Sequence, residues 1–297
     1  MYNFCFLILI YLFIFIYLYT NKKFSMLCLV QLIFFVLYSN ILNNNQTEHF
    51  QSEKYNNFSF DNSNIYYINM DKSKERRSEI ENELKKHNLE NIIRETAIVG
   101  KDLNLDDSRY DVFLKNLRDH FKNTPSQIGH LGCMISHINV FKKFLLSDKD
   151  YCIILEDDCR FIVDDFKKSV MEYIKNVPKD WDVILAGYHI DEDWHNDHKN
   201  NNKDLKYDNG ILNIKQFVGL HCYIINKDSA KILIENLKSP RWIIDWEMST
   251  LCNENKLKVY GMFPPIACQP AVNKIKIKDF KYEFTCNNLH LPSTTNT

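Results

Sequence analysis

The stretch Tyr151-Cys-Ile-Ile-Leu-Glu-Asp-Asp-Cys-Arg-Phe161 runs five mostly apolar residues directly into three consecutive carboxylates. A run such as Tyr151 to Leu155, with few polar atoms, suits a strand buried on both faces, and such strands belong to sheets covered by helices. In open α/β sheets, ligands bind beyond the carboxyl ends of the strands. The acidic cluster therefore falls where a ligand is expected. Glu156, Asp157 and Asp158 repel one another, and either solvent or a cation offsets that cost. Oxygen-only ligands favour a hard ion, Mn²⁺ or Mg²⁺, which keeps waters and shares itself with substrate phosphates. For this stretch alone, a solvated acidic loop is the alternative.

Working outward, strand and helix patterns alternate, which predicts an α/β fold with a mostly parallel sheet. Upstream, Ile65 to Asn69 reads as a strand and Lys72 to Asn88 as a helix. Arg76 and Arg77 fall in the first turns of that helix, where Arg can clamp a diphosphate bidentately or simply be solvated. A second strand is expected over Ile92 to Val99 and a helix over Tyr110 to Arg118. Gln127 to Leu146 follows as a long helix, with Leu131, Ile135, Ile138, Phe141 and Leu145 at helical spacing. Ser136 and His137 are polar residues within it. Downstream come a helix over Phe161 to Asn176 and a strand over Trp181 to Gly187. The polar stretch 188–210 holds Asp191-Glu192-Asp193 and reads as a loop or lid. Ile211 to Phe217 and His221 to Asn226 read as paired strands, and Asp228 as the cap of a helix over Ser229 to Leu237. Asp245 and Glu247 lie among Trp242, Ile243, Ile244, Trp246 and Met248. A carboxylate in such surroundings has a raised pKa, useful in a general base, though Asp245 also suits a helix N-cap. Lys258 to Met262 reads as the last strand.

Composition excludes several classes. Asp and Glu number 38 against 37 Lys and Arg, so no basic field exists to hold nucleic acid. Glycine is scarce, at seven residues, and no glycine-rich phosphate loop occurs. Any phosphate ligand must rely on metal, Arg or helix termini. The nine cysteines show no zinc-like spacing, and Cys133, Cys152 and Cys222 read as small core residues.

The N-terminus reads as a membrane anchor over 1–43, followed by a polar stalk over 44–63. Residues 4–19 carry no charge, Lys22 and Lys23 interrupt, and residues 24–43 are again apolar. The second stretch approaches the ~20 residues that span a bilayer. Whether one or both stretches span, the two lysines place the large domain on the luminal, non-cytoplasmic side. The sequons Asn45-Gln46-Thr47 and Asn57-Phe58-Ser59 agree with that side. A catalytic domain is expected over 64–275 and a tail over 276–297.

Five motifs, in order, resemble glycosyltransferase family 25. Ile68-Asn69-Met70-Asp71, with Arg76 after it, is similar to the family's opening motif, with Met70 in place of the usual Leu. Gly129-His-Leu-Gly-Cys-Met-Ile-Ser-His137 is similar to its G-x-x-G-C-x-x-S-H helix, and Leu155-Glu-Asp-Asp158 to its E-D-D motif. Gly219-Leu-His-Cys-Tyr-Ile-Ile resembles a later strand and helix unit, and Ile244-Asp245 the late Asp motif. The resemblance implies a GT-A type fold, a UDP-sugar donor, Mn²⁺ or Mg²⁺, and inverting transfer of a hexose to a glycan or hydroxylysine-type acceptor. On that reading Asp157 and Asp158 hold the cation, helped by Glu156. Arg76 touches the diphosphate, Asn69 the nucleotide, and Ser136 and His137 line the donor pocket. Asp245 is the base, with Glu247 in reserve. Two rivals remain: a membrane-tethered binding module without turnover, and a metal-dependent phosphohydrolase.

Overall fold

The computed structural model describes residues 58–121, 126–189 and 207–269. The chain divides into two compact units, Met1–Asn56 and Asn57–Thr297. The first unit lies outside the described residues, and with it the expected anchor and most of the stalk. Among the described residues, no helix is long and apolar enough to cross a membrane. The folded unit begins before the expected boundary at residue 64. Phe58 is buried and meets Tyr151 edge-on, with ring centroids 5.1 Å apart, because its ring completes the apolar end of the acidic strand.

In chain order the unit comprises β1 (Ser63–Asn69), α1 (Lys74–Lys86), β2 (Ile92–Thr96), α2 (Asp111–Phe121), α3 (Ser126–Leu146), β3 (Tyr151–Glu156) and β4 (Arg160–Phe161). There follow α4 (Phe166–Ile174), β5 (Val183–His189), β6 (Tyr207–Asp208), β7 (Ile211–Asn213), β8 (Val218–Asn226), α5 (Lys227–Asn236), α6 (Ile244–Asn253), β9 (Val259–Met262) and β10 (Ala267–Cys268). Eight strands form one sheet in the order β2-β1-β3-β8-β5-β9-β7-β6, and β10 pairs with β4 separately. β8 runs antiparallel to both β3 and β5, and β7 antiparallel to β9 and β6. The other six strands share one direction, so the sheet is mostly parallel in orientation, with β8 inserted against the grain at its centre.

Tyr151 to Leu155 are buried on both faces, as their unbroken apolar character requires. Alternation divides them: Cys152 and Ile154 join Tyr66, Ile68, Val183, Leu185, Tyr223 and Ile225 in one cluster with α3, α5 and α6. The opposite face is covered by α1 and α4, whose Ile80, Leu84, Phe166 and Val170 are fully buried. In α3 the buried stripe is Leu131, Met134, His137, Val140, Phe141 and Phe144, while Ile135, Ile138 and Leu145 are only partly covered. The helix is therefore rotated from the expected face, and it turns Ser136 and His137 inward.

Several local expectations change. Ile211 to Phe217 and His221 to Asn226 do not pair: β7 lies on β9, and β8 lies between β3 and β5, with Leu220 to Asn226 buried throughout. Phe161 belongs to β4 rather than to a helix, and α4 starts only after Asp165, whose side chain accepts from the Lys168 amide. Asn226, not Asp228, caps α5: it accepts from the Asp228 and Ser229 amides and closes a capping box with Ser229. The N-cap of α6 is Ile243, so Asp245 stands in the first turn. Tyr188 and His189 complete β5, and Asp191-Glu192-Asp193 lies outside the described residues.

Candidate active site

The carboxyl ends of β1 and β3 lie side by side, with Ile68 in register with Glu156. Antiparallel β8 begins at the same edge, and the first turn of α6 closes it. Together they bound a cavity of about 290 Å³ lined by Asn69, Arg76, His130, Cys133, Ser136, His137, Glu156, Asp157, Asp158, Gly219, Asp245 and Gln269, among others. Eight of the nine residues anticipated from the sequence line this one space; Glu247 does not.

The acidic cluster is gripped by cationic and amide donors. Arg76, buried in the first turn of α1, reaches both aspartates with one nitrogen: Nη1 lies 2.9 Å from Asp157 Oδ1 and 3.3 Å from Asp158 Oδ2. Asn69 donates to Asp157 Oδ2 at 2.7 Å, and Gln269 to Asp158 Oδ2 at 2.7 Å. Asp158 Oδ1 is buried with no hydrogen-bond partner. Burial pushes the Asp157 carboxyl up, against the pull of Asn69 and Arg76. Asp158 rises to about 6, first through burial and then through the Glu156 charge.

Asn69 is itself fixed: Arg94 donates to its side-chain oxygen at 3.1 Å, and Asn69 donates to the Ser73 carbonyl at 3.1 Å. The start of α1 is thereby tied to the end of β1, which positions Arg76. On the α3 wall, Ser136 donates to the Gly132 carbonyl at 2.7 Å and accepts from the Ile98 amide at 2.8 Å. Its hydroxyl thus braces the 97–100 segment that lines the cavity. His137 is fully buried, its Nδ1 is 2.7 Å from the Tyr223 hydroxyl, and its Nε2 is 3.5 Å from Glu156 Oε1.

Asp245 faces this cluster from α6. Its Oδ2 accepts from the Gly219 amide at 2.9 Å and its Oδ1 from the Trp246 amide at 2.9 Å. Gly219 holds φ +79°, a conformation L side chains rarely adopt, and that turn aims its amide at Asp245. Burial raises the Asp245 carboxyl to about 6 even though both amide bonds pull it down. Glu247 is buried and turned away: it accepts from the amides of Arg241 and Trp242 and pairs with the Arg241 guanidinium. It holds the loop that leads into α6.

Gln269, Cys133 and Tyr223 escaped the sequence reading. Gln269 arrives from the strand after β9, and nothing in its local sequence marks it. Cys133 stands one helical turn before His137 and reads as an ordinary core cysteine.

The family model described as Glycosyltransferase family 25 (LPS biosynthesis protein) matches residues 62–248. Procollagen galactosyltransferase 2 of Homo sapiens is 31% identical over 128 residues, which is 41% of this chain and 20% of that protein. A glycosyltransferase 25 family member of Aedes aegypti is 30% identical over 130 residues, 42% of this chain and 21% of that protein. The chain thus spans about a fifth of the length of these curated relatives. Among solved structures, mouse xyloside xylosyltransferase 1 in its apo form aligns over 68% of this chain and 72% of that chain, with 10% identity and a TM-score of 0.33. With the family model covering well over half of its residues, this chain belongs to glycosyltransferase family 25.

Proposed function

We propose that this protein transfers a hexose, galactose or glucose, from a UDP-sugar to a hydroxyl of a glycan or hydroxylysine-type acceptor, with inversion. The observation that carries the reading is the meeting of Arg76, Asn69, Asp157, Asp158 and Asp245 around one cavity. The fold is of the GT-A type on this reading, and residues 1–43 tether it to a membrane on the non-cytoplasmic side.

Asp157 and Asp158, with Glu156, would hold Mn²⁺ or Mg²⁺. The donor set fits a hard cation: three adjacent carboxylates, with Asp158 Oδ1 buried and lacking any hydrogen-bond partner. Such an ion supplies neutralisation of the leaving diphosphate. Arg76 brings a second positive charge to the same side, and Asn69 meets the nucleotide. Asp245 takes the acceptor proton. The acceptor oxygen bonds the anomeric carbon, the bond to the phosphate oxygen breaks, and UDP leaves with the electron pair. A carboxyl near 6 suits this task, being largely ionised at pH 7 while remaining more basic than an ordinary aspartate. The Gly219 and Trp246 amides fix its orientation, so little reorganisation is needed on reaction.

The test is a panel of UDP-sugars offered to the full chain in detergent, with release of UDP followed with and without Mn²⁺. Release of UDP from one UDP-hexose, stopped by a chelator, is the expected result. Phosphate release without sugar transfer would point to a phosphohydrolase, and binding without turnover to a non-catalytic module.

A further inference from the structure

Cys133 and His137 stand one turn apart on α3 and face Glu156 across the cavity. One ligand atom from each, the Cys133 sulfur, a His137 ring nitrogen and a Glu156 oxygen, lie within 4.8 Å of one another. We propose that these three residues form a second cation site, beside the aspartates and sharing Glu156 with them, which takes a thiophilic divalent ion such as Zn²⁺ or Co²⁺.

Three observations support it. His137 Nε2 is fully buried with no hydrogen-bond partner, and it points at Glu156 Oε1 at 3.5 Å. The opposite ring nitrogen, Nδ1, is 2.7 Å from the Tyr223 hydroxyl. Metal-ligating histidines are held in this way, with one nitrogen anchored and the other presented. A cation on Nε2 selects the tautomer with its proton on Nδ1, and Tyr223 accepts that hydrogen bond. Finally, Cys133 lines the same cavity as Glu156, Asp157, Asp158 and Asp245, so the surroundings of its thiol are anionic.

The dimensions are compatible with a tetrahedral ion. Zn–S is about 2.3 Å and Zn–N or Zn–O about 2.0 Å, so ligand atoms sit about 3.3–3.6 Å apart. The His137 and Glu156 atoms already meet that spacing at 3.5 Å, and all three ligand atoms lie within 4.8 Å of one another. Binding replaces the sulfhydryl hydrogen by the metal: the S–H bond breaks, an S–metal bond forms, and one proton leaves to solvent. Three protein ligands leave a fourth position for water or a donor group in the cavity. Sulfur and imidazole discriminate against Mg²⁺, which prefers oxygen. Occupation of this site engages Glu156 and His137 and so obstructs the donor cavity. The proposal concerns binding and stands without the transferase reading.

The experiment titrates the metal-free full chain in detergent with Co²⁺ and follows its absorption. A thiolate-to-cobalt charge-transfer band saturating near one equivalent is expected. Cys133→Ala should abolish the band, and Asp158→Asn should keep it. No such band in the wild type, or its persistence in Cys133→Ala, overturns the proposal. A parallel measurement covers the case in which Cys133→Ala does not fold: peptide mapping of maleimide-labelled wild type. Zn²⁺ should protect Cys133 and equimolar Mg²⁺ should not; labelling unchanged by Zn²⁺ rejects the site.

Discussion

Replacing Arg76 by Met keeps much of the volume and removes the charge shared by Asp157 and Asp158. Both carboxylates are only 7% exposed, and the Arg76 Nη1 contacts are 2.9 and 3.3 Å. Removing one partner of a buried ion pair costs about 3–5 kcal/mol, because the remaining charge stays buried without compensation. Asn69 and Gln269 retain their bonds to the aspartates, which favours the lower end. At about 2–4 °C per kcal/mol for a domain of this size, Arg76→Met should lower Tm by roughly 10 °C. Divalent cation should then restore more stability to the variant than to the wild type, since the freed carboxylates have no competing guanidinium. The assay is thermal or urea unfolding of both proteins across a Mn²⁺ series. A Tm change of less than about 2 °C, together with an unaltered response to Mn²⁺, would refute the claim that Arg76 is the chief counter-charge of this cluster.

Four further outcomes follow from the same geometry. With Asp245 acting in its ionised form, kcat/KM should fall tenfold per pH unit below about 6 and level off above 7, and Asp245→Asn should remove the limb along with most of the rate. The folded pKa values of Asp158 and Asp245 lie above the unfolded one, so the cation-free domain binds extra protons between about pH 4 and 6 and should lose stability as pH rises through that window, as read by urea midpoints. Glu247→Ala should lower stability by about 1.5–3 kcal/mol, by loss of hydrogen bonds from Arg241 and Trp242 to a charged acceptor, with a smaller effect on the chemical step than Asp245→Asn. Gly219→Ala meets a φ of +79° and places a Cβ 3.0 Å from the His189 ring; a stability loss of about 1–2 kcal/mol with a drop in kcat is expected, because the amide it moves orients Asp245.

The sheet was legible where side-chain pattern alone dictates burial. Tyr151 to Leu155 read as a strand covered on both sides, and its acidic end lines the cavity. The direction of β8 was not legible, since an apolar run has no polarity; orientation is set by the connections and by pairing on both sides. The rotation of α3 escaped for a related reason. Ile135 and Ile138 are as apolar as Met134 and Val140, and only the partners of Ser136 and His137 decide which stripe turns inward. Within the site, Asp245 was recognisable by its apolar neighbours. Its neighbour two positions on shared that context, yet Glu247 points into the preceding loop, because residues two apart on a helix face different ways. Gln269 gave no signal, since its role depends on β10 bringing it beside Asp158.

On the proposed function, the buried aspartate pair serves the diphosphate of a UDP-sugar. Calorimetric titration of UDP into the full chain with and without Mn²⁺, for wild type and Asp158→Asn, addresses it most directly. Binding should be strengthened at least tenfold by Mn²⁺ in the wild type, with no such gain in a folded Asp158→Asn variant. Equal Mn²⁺ dependence in the two proteins would contradict it.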